Sequence, residues 1–103
     1  MSGEALKITE RSFLFAVRIV RFCRFLERHD NVSRTLAGQL LRSGTSIGAN
    51  VEEVQAGQSK SDFIAKMSIA RKEARETNYW LRLLVASDIV EQRSKSLTSW
   101  SAF

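Results

Sequence analysis

Ser43-Gly44-Thr45-Ser46-Ile47-Gly48-Ala49-Asn50-Val51-Glu52-Glu53 is a run of small and polar residues placed where a helix should have its apolar face. Leu36, Leu40, Ile47, Val51 and Val54 recur through it at spacings of four, seven, four and three, which is one stripe of an α-helix. Gly44, Ser46, Gly48, Ala49 and Asn50 lie between them. A glycine in a helix interior costs about 1 kcal/mol relative to alanine, so two of them require a reason. Close approach by another backbone supplies one. Asn50 and Glu53, a turn apart, then become candidates for partly buried hydrogen-bonding groups. Nothing in the run has the makings of a reaction centre.

The stripe predicts a helix from about Val32 to Gln55, closed near Gly57 by a left-handed cap. Upstream, Ile8, Phe15, Ile19, Phe22 and Leu26 keep one face of a long helix over about Ile8 to His29. Phe13, Val20 and Phe25 widen its apolar surface beyond one stripe, which points to a share in a subunit interface. Asn31 or Ser33 is available to cap the second helix. Downstream, Phe63, Met67, Ala70, Ala74, Thr77, Leu81 and Leu84 alternate by four and three, the seam of an antiparallel bundle, with Ser59, Ser61 or Asp62 as its N-cap. Asp88 and Glu91 are spaced as a capping box for a short fourth helix. The expected architecture is all-α: an up-down antiparallel four-helix bundle over residues 1–93 with a short or truncated fourth helix, then a ragged serine-rich end over 94–103.

Composition agrees with one helical domain. The 103 residues include no proline, and all five glycines fall in the first 60. Cys23 is the single cysteine, so no internal disulfide can form and a reducing, cytoplasmic setting fits. No apolar run is long enough to span a membrane, and the N-terminus lacks the pattern of a signal peptide. Sixteen Lys and Arg against eleven Asp and Glu give a net charge of +5, which favours acidic partners, nucleic acid foremost.

The residues that could do chemistry are few. His29, the only histidine, stands beside Asp30 at a predicted turn and reads as a surface residue. Metal-ligand spacings of the zinc type are absent, and Gly44-x-x-x-Gly48 lacks the lysine of a phosphate loop. Glu52, Glu53, Glu73 and Glu76 resemble the carboxylates of a two-metal bundle site, but such sites also use Glu-x-x-His, which no helix supplies. No cofactor, metal or catalytic residue is expected. Glu53 and Glu76 read as partners for arginines, with Arg42, Arg71 and Arg75 available. Arg18, Arg21, Arg24 and Arg28, with Arg11 at the edge, form a row on the first helix. The row is either a solvated face or a phosphate-contacting surface. The aromatics beside it follow core spacing, and Trp80 reads as packing or as an anchor for a subunit contact.

Ser46, Ile47, Asn50, Val51 and Glu53, together with Ala70 and Glu76 further along, resemble the hallmark runs of the four helix bundle protein family. That family is also called the 23S rRNA-intervening-sequence or S23 proteins. The resemblance covers about residues 8 to 92. It implies an up-down four-helix bundle that assembles as a ring-like homopentamer and is encoded in bacterial genomes. A related branch, the accessory variability protein of diversity-generating retroelements, binds nucleic acid and a reverse transcriptase through a basic surface. The family's fourth helix is normally longer than the stretch of this chain beyond Asp88 allows. Ser46, Ile47, Gly48, Asn50, Glu53, Glu76 and Trp80 are thereby expected in helix or subunit packing, and Arg11, Arg18, Arg21, Arg24 and Arg28 in RNA or DNA binding. The resulting expectation is a non-enzymatic homo-oligomer that binds nucleic acid without strong sequence preference. A structural or protein-interaction adaptor with no nucleic-acid role is the alternative.

Overall fold

The computed structural model describes residues 3–54 and 59–90, with side chains from residue 7 onward. They form three helices and no strand: α1 (Gly3–Leu26), α2 (Asn31–Val54) and α3 (Lys60–Ala86). The sequence predicts all three. The expected fourth helix, the Gly57 cap and the serine-rich end lie outside the described residues.

α1 closes three residues earlier than its apolar pattern suggests. The Arg28 amide donates to the Phe25 carbonyl at 3.3 Å and the His29 amide to Leu26 at 3.1 Å, tightening the last turn. Asp30, rather than Asn31 or Ser33, then caps α2. Its Oδ1 accepts the Ser33 amide at 2.8 Å, and its carbonyl takes the Arg34 amide at 2.9 Å. A carboxylate satisfies an orphan amide and also faces the positive end of the helix dipole, so it outcompetes its neighbours. The Ser33 amide holds the Asp30 carboxyl below its ordinary range.

With only four residues between α1 and α2, the two must run antiparallel. Their pairings confirm it: Ser12 meets Gly48, Ile19 meets Gly44, and the Cys23 thiol reaches the Ala37 carbonyl at 3.4 Å. α2 packs against both neighbours, while α1 and α3 meet only marginally. The core joins Phe15, Ile19, Cys23 and Leu26 of α1 to Ala37, Leu40 and Ile47 of α2 and to Leu81 and Leu84 of α3. Burial pushes the Cys23 thiol up to about 12, with Glu27 adding to the shift.

Ser59 caps α3, its Oγ accepting the Asp62 amide at 3.1 Å. The seam is buried at Ala70, Thr77, Leu81 and Leu84. It opens at the N-terminal end of α3, where Phe63 stays exposed. The far end of α3 differs from expectation. Asp88 has φ 58, the left-handed region, whereas an N-cap is extended. The Ile89 amide donates to the Leu84 carbonyl and the Asp88 amide to Val85, each at 3.1 Å. This is a Schellman stop, with Asp88 where glycine is commonest. It turns Ile89 and Val90 back onto the core.

Candidate nucleic-acid interface

The outward side of α1 combines arginines with aromatics. Arg11, Arg18, Arg21, Arg24 and Arg28 are all exposed, as the sequence pattern predicts for a row opposite the core. Arg11 and Arg18 have interactions within the chain. Among the described residues, Arg21, Arg24 and Arg28 have no ion-pair partner. These three line a shallow depression of about 170 Å³ together with Phe25.

Phe25 follows core spacing in the sequence yet lies outside the core, among the residues that widen the apolar surface of α1 beyond one stripe. Half of Phe25, 51%, is exposed, and Phe13 on the same helix is 56% exposed. Phe15 takes the buried position, and α1 has apolar residues on more sides than α2 can cover. The Phe25 ring is nonetheless held. It stacks on Phe22 at 6.5 Å between centroids and 15° between planes, and meets the His29 ring edge-on at 4.7 Å. His29 Nδ1 lies 3.0 Å from the Phe25 carbonyl. A carbonyl only accepts, so Nδ1 is the donor in this contact.

The second cluster joins α2 to α3. Arg42 Nη1 donates to Glu73 Oε2 at 3.0 Å, and Nη2 pairs with Glu76. Glu76 also accepts the Trp80 indole N–H at 3.1 Å, which ties down the ring. Beneath them Thr77 Oγ1 lies 2.8 Å from the Glu73 carbonyl and 2.9 Å from Ser43 Oγ. Ser43 Oγ also lies 3.4 Å from the Leu40 carbonyl, so the two hydroxyls form one hydrogen-bonded chain between α2 and α3. Glu73, which sequence reasoning considered only for metal, is the buried carboxylate of the pair. Arg71 and Arg75 are exposed.

The small-residue run lies where the helices come closest. Ile47 is fully buried and Gly48 faces the Ser12 backbone. Asn50 Nδ2 turns back onto its own helix, donating to the Ser46 carbonyl at 2.8 Å and sharing Ser46 Oγ at 3.3 Å. Glu53 is exposed and makes no ion pair among the described residues. Among the described residues no group of three or more His, Cys, Asp or Glu is placed to hold a metal ion. No helix among them is long and apolar enough to cross a membrane.

A protein of unknown function from the S23 ribosomal protein family of Bacteroides thetaiotaomicron has a closely similar crystal structure. It is 42% identical in sequence, with a TM-score of 0.83 over 92% of this chain and 85% of that one. No curated protein matches the chain. The family model of the 23S rRNA-intervening sequence protein matches residues 4–99. The chain therefore belongs to the 23S rRNA-intervening sequence protein family.

Proposed function

We propose that this protein is a non-enzymatic, homo-oligomeric helical bundle that binds nucleic acid through the arginine face of α1 without strong sequence preference. The observation behind the reading is that Arg21 and Arg24 on α1 and Arg28 in the turn after it stand exposed around one depression, with no acidic partner among the described residues. Guanidinium contacts to phosphates carry no sequence information, which fits weak sequence preference. Repetition of the face in an oligomer multiplies weak contacts into avidity. Exposed apolar side chains, Phe13, Leu14 and Val20 on α1 and Ile64 and Ile69 on α3, supply surface for self-association. A fourth helix formed beyond residue 90 would complete the bundle, and a homopentamer is the assembly that the family resemblance favours.

The test is binding of a short RNA to the full chain and to the triple variant Arg21→Gln, Arg24→Gln, Arg28→Gln across a salt series. Loss of three phosphate contacts should flatten the slope of log affinity against log salt by about 2. An unchanged slope would place the contacts elsewhere. No binding by the parent chain at low salt would leave the adaptor reading, which the same exposed apolar residues favour.

A further inference from the structure

We infer that the α1 depression is a single-strand site in which Phe25 stacks on an unpaired base while Arg21, Arg24 and Arg28 hold the flanking phosphates. This rests on the nucleic-acid reading and names the form of strand it selects. An exposed phenylalanine in a ring of arginines has a π-face that every base can use, and cationic neighbours for the backbone on either side. The ring is already held against Phe22 and His29 before binding, which limits the ordering that binding requires.

The shape agrees. The 170 Å³ depression is shallow and open to solvent, so a flat base can lie against it. Arg21 and Arg24 sit one turn apart near the end of α1 and Arg28 follows in the turn, so the three cations stand around Phe25. A duplex keeps its base faces stacked inside and offers Phe25 nothing.

Three probes of equal phosphate count separate the possibilities: a thymidine homopolymer, an abasic strand of the same length, and a mixed-sequence duplex. The full-length protein should bind the homopolymer about tenfold tighter than the abasic strand, the ratio expected for one stacked base. Phe25→Leu retains the apolar bulk but removes the π-face. It should abolish that ratio while leaving abasic binding and the unfolding temperature unchanged, and Phe25→Tyr should preserve it. Equal affinity for homopolymer and abasic strand, or tighter binding of the duplex, would overturn the stacking site while leaving phosphate binding intact. Failure of all three probes at low salt would remove the nucleic-acid reading itself and assign the face to a protein contact.

Discussion

Gly48 faces the Ser12 backbone across the α1–α2 contact, so that a Cβ at position 48 would lie 3.2 Å from the Ser12 carbonyl oxygen. A carbonyl in a helix cannot swing aside as a side-chain tip can. Gly48→Leu should therefore force the helices apart and cost about 1–3 kcal/mol, despite leucine's better helix propensity. Gly38 is the control. It lies on the same helix with open space around it, and Gly38→Ala should stabilise by about 0.5–1 kcal/mol. Urea unfolding of the two variants checks both signs.

Arg42 bridges α2 to Glu73 and Glu76, and its side chain is half exposed while that of Glu73 is about one-tenth exposed. Arg42→Met should cost about 1 kcal/mol after allowance for screening, chiefly by leaving Glu73 with an unmatched charge. Combined with Glu73→Gln, the loss should be smaller than the sum of the single losses. A double-mutant cycle measures that coupling directly, and strict additivity would show that the bridge contributes nothing.

Asp30 caps α2 through the Ser33 amide, and its acidity is raised in the folded chain. A lowered folded pKa means that the unfolded chain binds the proton more readily. The cap's contribution is present above the ordinary aspartate range and disappears as pH falls through the depressed value. Asp30→Asn keeps the accepting oxygen without a titrating proton. Its stability should fall less than the parent's between neutral and acidic pH, read as thermal unfolding temperature against pH.

Asp88 closes α3 with φ 58, a conformation glycine adopts without strain. Asp88→Gly should stabilise by about 0.5 kcal/mol, the relief of strain exceeding glycine's entropic cost. Were residue 88 a helix N-cap instead, the same change would remove a capping group and destabilise, so the sign distinguishes the two roles.

Much of the fold is legible because apolar spacing reports it directly. Leu40, Ile47 and Val51 on α2 and Phe15, Ile19 and Leu26 on α1 are buried as their periods require. Spacing fails where apolar residues encircle a helix. Phe25 and Phe15 are chemically identical, and only the position of α2 decides which is covered. It fails again for small hydroxyls. Ser12, Ser43 and Thr77 are buried, each within reach of a carbonyl on its own helix, so the burial leaves no polar group unmatched. Asp30 and Asp88 show a third limit, since one residue type serves as a start or a stop according to a backbone angle that sequence does not display. The arginine row is plain in the sequence, while the aromatic platform among the arginines emerges only when α1 is seen against α2.

Cys23 gives the molecule a built-in clock. Its sulfur is sealed between α1 and α2, and at neutral pH almost none of it is the thiolate that alkylating reagents attack. A maleimide can reach it only in the moments when α1 lifts away from α2. With one cysteine in the chain, the labelling rate in plain buffer counts those moments without any engineered probe.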